Sequence, residues 1–259
     1  KSVNDNIARP TLRNLKINQR DLNKIDVVAL DLIDDWNFVT ERESNTIYWY
    51  NGKIYDSKNS TSVIKEAVEK QIADCTESNS NEVVNKIKRL TYMGIEEFDS
   101  DPNVVTLENG IYNISTGELT PHTPTYFSKV LIPCSYTKPI HENIEDNLKG
   151  TLFGDYLNST CTFDGKLDDV MRIDILEMMA CCIVKKQINE ISFLLHGDGS
   201  NGKSVALEYI QNMLGDDNFT NIPLQTLAED KFQVASLDGK LANIFTDIEQ
   251  NELKHTGII

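Results

Sequence analysis

The sequence has no CxxC pair. Its five cysteines (Cys75, Cys134, Cys161, Cys181 and Cys182) are scattered or adjacent, and its four histidines show no ligand spacing. That pattern excludes a zinc site of the usual kind and fits a reduced, cytoplasmic-type chain. Cys181 and Cys182 sit in an apolar helical pattern and read as core filler. Long apolar runs are missing too. The longest, Ile173 to Val184, contains Asp174 and Glu177 and is too short to span a bilayer, so no membrane association is expected. The opening residues show none of the charged, apolar and small-residue segments of a secretory leader, so a cytoplasmic location is expected. Positive charge is scarce as well: 25 Lys and Arg stand against 40 Asp and Glu, a formal charge of -15. A protein that lives on nucleic acid usually shows a basic face. Any such partner here needs a local basic surface or one outside this stretch.

What is present is the composition of a soluble globular protein, 40% hydrophobic and 25% charged over 259 residues. That length holds one large domain or two ordinary ones. The first residues are locally basic, with Arg9, Arg13, Lys16, Arg20 and Lys24 at helical spacing. On a helix starting near Pro10 they form one stripe, either a phosphate-backbone contact or a solvated face. Residues 26–43 then turn acidic. From Thr46 to Tyr55, aromatic and β-branched residues flank Asn51-Gly52, which predicts a hairpin closed by a two-residue type I′ turn. Its aromatics could stack on bases, but packing a small sheet against helices is the commoner use. Two amphipathic helices follow; Ile64, Val68, Ile72 and Cys75 share one face of the first, and Val83, Ile87 and Leu90 share one face of the second, with the polar run Thr76–Asn81 separating them and Gly94 ending the second.

From Pro102 to Ser135 short strands alternate with turns, which predicts a β-meander of Val104–Leu107, Ile111–Ile114 and Tyr126–Ile132. Residues 141–169 read as mixed and linker-like, broken by Gly154 and Gly165. Asp168 to Lys186 predicts a helix whose inner face carries Ile173, Leu176, Met179 or Ala180, and Ile183.

The chemistry concentrates in the next stretch. Ile191–Leu195 is long enough for a buried strand, and Gly197-Asp198-Gly199-Ser200-Asn201-Gly202-Lys203-Ser204 fits GxxxxGK[ST] at every constrained position. A helix-compatible pattern resumes at Val205. A chance match in a chain of this length is about a one per cent event on average residue usage. Glycines let the backbone turn with positive φ and bring N–H groups to phosphate oxygens, and the following helix adds its N-terminal partial charge. Lys203 reaches the β/γ-phosphates of ATP and Ser204 coordinates Mg²⁺. Further on, Phe219–Pro223 reads as an edge segment and Leu224–Ala235 as a helix. Leu241–Thr246 is a second apolar run, ending at Asp247-Ile248-Glu249. A carboxylate at the end of a buried strand suits the metal, which assigns Asp247 to Mg²⁺ and Glu249 to the attacking water.

Three segments together, FLLHGDGSNGKS, IPLQTLAEDKF and LDGKLANIFTDIEQNELKHTG, resemble superfamily 3 helicases, in particular the helicase part of plasmid and phage primase-helicases. The run FDSDPNVVTLENGIYNISTGELTPHTP resembles the domain that precedes the ATPase in poxvirus-type and phage primase-helicases. The resemblance covers about Thr46 to Gly257. It implies a hexameric ring with ATP between subunits and single-stranded or forked DNA in the centre, and hydrolysis that drives unwinding. It also implies a virus or mobile element as the source and a primase module as a possible companion. On that mapping Gly197, Gly202, Lys203 and Ser204 bind phosphate and metal, and Asp247 is the Walker B acid. The sensor residue, basic hairpin and arginine finger of the family find no counterpart before Ile259, so a fragment is expected.

The expected fold is mixed α/β and α+β: a helix and β-meander domain followed by an incomplete P-loop (AAA+-like) ATPase core. The expected boundaries are a helical segment 1–45, a pre-helicase domain 46–140, a helical linker 141–188 and a truncated ATPase domain 189–259. The leading expectation is an ATP-dependent replicative DNA helicase. A small-molecule P-loop kinase is the enzymatic alternative, and a non-catalytic DNA-binding or assembly module the other. DNA-stimulated ATP turnover separates the three.

Overall fold

Asn23 starts the first described element, its side-chain oxygen accepting the amide of Asp26 at 2.8 Å and so capping α1, Lys24–Trp36. The computed structural model describes residues 23–185, 192–197, 199 and 201–246. The basic stripe from Arg9 to Arg20 lies outside them. The chain divides into two units, the first running to Asp101 and including Pro121–Lys129, the second made of Pro102–Thr120 and the chain from Val130. Both mix helices with small sheets. No described helix is long and apolar enough to cross a membrane.

In the first unit α1 is followed by β1 (Phe38–Glu41), β2 (Ile47–Tyr50), β3 (Tyr55–Asp56), α2 (Ser60–Gln71), α3 (Glu77–Leu90) and β4 (Tyr92–Met93). The sheet order is β3-β2-β1-β4, with β4 parallel to β1 and the other pairs antiparallel. β1 is buried along its whole length. Successive side chains of a strand point to opposite faces. Phe38 joins Val28, Leu32, Ile64, Val68, Val83 and Ile87 in the helical core. Val39 packs on the other side with Tyr55, Met93, Phe98 and Phe127. Burying each of these aliphatic side chains stabilises by about 1.5–3 kcal/mol. The aromatics of the hairpin therefore pack the sheet: Trp49 lies 6.0 Å from Trp36, and Tyr48 5.1 Å from Phe98.

Several expectations change here. The hairpin closes one residue later than predicted, on an Asn51 N–H to Ile54 carbonyl bond, with Gly52 and Lys53 at the tip. A type I′ turn centred on Asn51-Gly52 needs positive φ at both; Asn51 instead uses its side-chain oxygen to accept the amides of Lys53 and Ile54. The run Thr76–Asn81 is no separator, because Thr76 caps α3 and the remainder forms its first turn. α3 ends at Leu90, so Gly94 lies past the helix and opens a short 3₁₀ turn, Ile95–Glu97.

The second unit begins with the meander β5 (Val104–Leu107), β6 (Gly110–Asn113) and β7 (Glu118–Thr120), antiparallel throughout. Its third strand is Glu118–Thr120 rather than Tyr126–Ile132; Ile132 adds only a single parallel bridge to Leu107. The stretch read as a linker is folded. It forms α4 (Ile144–Leu148), α5 (Leu152–Thr160) and the hairpin β8 (Thr162–Phe163) and β9 (Lys166–Leu167). Gly154 lies inside α5, where any Cβ would strike the Leu148 carbonyl. Close approach, not chain breaking, explains that glycine.

Next come α6 (Asp169–Ile183), α7 (Lys203–Leu214), β10 (Phe219–Thr220), α8 (Leu224–Glu229), α9 (Lys231–Ala235) and β11 (Ala242–Asn243). The core holds Leu157, Cys161, Ile175, Met178, Ile210 and Leu214. Of the predicted inner face of α6, Leu176, Met179 and Ile183 pack half-buried against the core while Ile173 is 53% exposed, and the fully buried positions are Arg172, Ile175 and Met178. Arg172 can sit there because Glu145 and Asp169 pair with its guanidinium. The helix expected over 224–235 is two helices, since Asp230 leaves the helical region and caps α9 through Phe232 N–H. β10 and β11 are parallel, joined by α8 and α9 as a crossover.

The adjacent cysteines differ. Cys181 is exposed, whereas Cys182 is half-buried and burial, reinforced by Cys181, pushes its thiol up to about 11. Cys181 is thus not core filler. At pH 8 a thiol titrating near 11 is about one part in a thousand thiolate. Iodoacetamide should label Cys181 first and leave Cys182 largely intact, read by fragment-ion mass spectrometry. Equal labelling would contradict this arrangement.

Candidate functional site

The phosphate-loop motif lies entirely in the second unit. Ser192–Leu195 forms no strand: none of its residues joins a ladder, and Phe193 and Leu194 are 47% and 74% exposed. A strand needs partners for its amides, and the parallel strand pair described in this unit, β10 with β11, does not include this segment. Ile191 lies outside the described residues, as do Asp198 and Ser200 of the loop and both downstream carboxylates, Asp247 and Glu249.

The described loop residues have a definite local geometry. Gly202 sits in the left-handed region at φ 82 and caps α7, whose first residue is Lys203. Only a residue without Cβ takes that conformation readily. The helix therefore starts at the lysine of the motif, with Ser204 exposed in its first turn. Lys203 folds back over the loop, its Nζ donating to the Gly197 carbonyl and to Asn201 Oδ1, both at 2.7 Å. Gly197 has φ 154, and a Cβ there would run into the Asn201 side-chain amide. Gly197, Asn201 and Lys203 thus meet at one point, with Gly202 behind them. An ammonium, a hydroxyl and the N-terminal amides of a three-turn helix form a donor set suited to a polyphosphate with its Mg²⁺.

Two residues that motif reading missed also touch this loop. Tyr156 on α5 donates its hydroxyl to the Gly202 carbonyl at 3.1 Å, and Thr160 faces the position a Gly202 Cβ would take. No spacing rule links them to the motif, because the contact spans 46 residues.

Downstream, Ile244 follows β11 and is buried in the core. Asn243 fixes the approach: its Oδ1 accepts from Thr220 Oγ1 at 2.9 Å and from Ile222 N–H at 2.8 Å, and its Nδ2 donates to the Ile222 carbonyl at 2.8 Å. The predicted strand over 241–246 is thus a two-residue strand with a side-chain extension of its ladder.

A family model described as D5 N terminal like matches residues 20–171, more than half of the chain. The chain belongs to that family, an N-terminal domain found in primase-helicase proteins of phages, plasmids and viruses. A second model, a family of unknown function (DUF5906), matches residues 195–258, which include the loop from Gly197.

Proposed function

We propose that this chain is part of an ATP-dependent DNA helicase of the primase-helicase kind, with a truncated P-loop ATPase core over 189–259. One observation carries the reading: a glycine at φ 82 delivers Lys203 to the first position of α7 and folds its ammonium over the Gly197 carbonyl. Family membership over residues 20–171 supports it from the other end of the chain.

In this reading Gly197–Ser204 cradle the triphosphate of ATP, with Asp198, Gly199, Ser200 and Asn201 lending the loop's amides. Lys203 pairs with the β/γ-phosphates, Ser204 and Asp247 hold Mg²⁺, and Glu249 orients the attacking water. The metal supplies charge neutralisation on the phosphates when bound. DNA is the macromolecular partner, and a hexameric ring in the host cytoplasm places each ATP between subunits. A second reading, a non-catalytic DNA-binding or assembly module, draws on the unladdered, exposed Ser192–Leu194 segment.

The test is the rate of phosphate release by the full-length protein with and without single-stranded DNA. DNA stimulation of at least about tenfold is expected, the change that 1.4 kcal/mol of barrier lowering produces. DNA-independent turnover that requires a small phosphate acceptor would sink the helicase assignment. DNA binding with no turnover would favour the module.

A further inference from the structure

We infer that Tyr156 is a positioning residue of the phosphate loop, so that α5, within the D5 N terminal like segment, forms part of the nucleotide site. The inference rests on the reading of Gly197–Ser204 as that site.

The Gly202 carbonyl has two donors. Ala206 N–H binds it at 3.0 Å as the first helical bond of α7, and the Tyr156 hydroxyl binds it at 3.1 Å. In a trans peptide the carbonyl and the following N–H point in opposite directions. Fixing the Gly202 oxygen therefore fixes the Lys203 N–H, which is aimed out of the helix N-terminus, where an anion is received. The backbone has little room to rotate away. An ideal Cβ on Gly202 would stand 2.6 Å from Thr160 Oγ1 and 3.2 Å from Tyr156 Cε2, so α5 is packed directly on the glycine.

The phenol is itself held in place. Its ring stacks on Phe153 of α5 at 6.1 Å and lies 5.2 Å from Tyr209 of α7, and Phe153 meets Tyr209 edge-on at 4.9 Å. Behind these rings Leu157 is fully buried against the α6 and α7 core. Burial raises the Tyr156 pKa, so the hydroxyl keeps its proton to donate at neutral pH. α5 lies within residues 20–171 and Gly202 within 195–258, so one hydrogen bond joins the two family segments inside a single unit.

The test uses Tyr156→Phe in the full-length protein, which keeps the ring packing and removes only the hydroxyl. A hydrogen bond of ordinary strength predicts that the Kd for MgATP rises about fivefold to tenfold. It also predicts amide exchange faster by a similar factor at Ala206, whose N–H binds the same Gly202 carbonyl, in the nucleotide-free protein. Exchange in the rest of α5 and α7 should stay unchanged. A purely structural role would instead speed exchange along both helices, and that outcome overturns the assignment. So does a Tyr156→Phe protein that binds MgATP as tightly as the parent. If the parent itself binds no MgATP, the reading of the loop fails and takes the nucleotide role of Tyr156 with it.

Discussion

Replacing Lys203 by alanine should abolish DNA-stimulated ATP turnover and weaken MgATP binding about a hundredfold, while the fold keeps nearly all its stability. Without nucleotide the hydrogen bonds of the ammonium include surface ones to the Gly197 carbonyl and Asn201 Oδ1. Losing them costs about 0.5–1 kcal/mol, because water replaces both partners. With nucleotide the same ammonium faces phosphate oxygens, and each charge-assisted bond is worth about 1.5–3 kcal/mol. The lost charge weighs more in the transition state, where negative charge shifts toward the leaving oxygen. Lys203→Arg should not rescue turnover, since a planar fork does not replace a compact ammonium seated between two loop oxygens. Asp247→Asn makes the companion case: nucleotide binding persists and hydrolysis is lost. Fluorescent-nucleotide titration and phosphate release measure all three. Turnover surviving in Lys203→Ala would remove the loop from the mechanism.

The helices legible in the sequence are those whose apolar spacing is decided by one dominant face. Ile64 and Val68 announce α2, Val83 and Ile87 announce α3, and all four are fully buried. α1 carries the same signal in Val28, Ala29, Leu32 and Ile33, but Asp26, Asp31, Asp34 and Asp35 masked it as an acidic run. α6 is apolar nearly all round, so its period could not say which face turns inward. The buried Arg172 decides it, through Asp169 one turn back on the same helix and Glu145 brought by tertiary folding.

Turn chemistry was half legible. Asn-Gly marked the hairpin, but the Asn51 side chain competed for the amides and moved the closure by one residue. At the candidate site the motif named Lys203 and Gly202 directly. The Tyr156 hydroxyl is a contact between distant segments, and pattern reading has no access to such pairs. Glycine carried the missing information in disguise: Gly154 and Gly202 both stand where a neighbouring element leaves no room for a Cβ, yet each reads in the sequence as a breaker or a loop residue.

Lys129→Met should destabilise the first unit by about 3 kcal/mol at pH 7, and the loss should shrink on acidification. Glu41 ends β1 with its side chain only 6% exposed, 3.5 Å from the Lys129 ammonium, which is 16% exposed. Ser44 Oγ donates to Glu41 Oε2 at 2.6 Å and the Tyr48 hydroxyl at 3.2 Å, while Lys129 lies over the Phe98 ring at 4.7 Å. Burial opposes ionisation of Glu41, but the Ser44 hydroxyl, the Lys129 charge and the Tyr48 hydroxyl outweigh it, so the carboxyl titrates below its ordinary value. A depressed folded pKa contributes stability that is present above the unfolded value and is lost as pH falls through the folded one. Removing Lys129 strands a buried carboxylate, a loss of about 3–5 kcal/mol in comparable pairs. With the ammonium gone, the carboxyl loses one of the partners that hold its pKa down, so the penalty relative to the parent shrinks as acid neutralises Glu41. The double variant Glu41→Gln, Lys129→Met should regain most of the loss and flatten the pH dependence, because no uncompensated charge remains. Both tryptophans of the protein, Trp36 and Trp49, pack against the helical core of this unit. Urea unfolding followed by tryptophan fluorescence therefore reads the first unit selectively. A Lys129→Met penalty below about 0.5 kcal/mol, the level of an exposed pair, or one that does not change with pH, would show that the pair is solvated and contributes little.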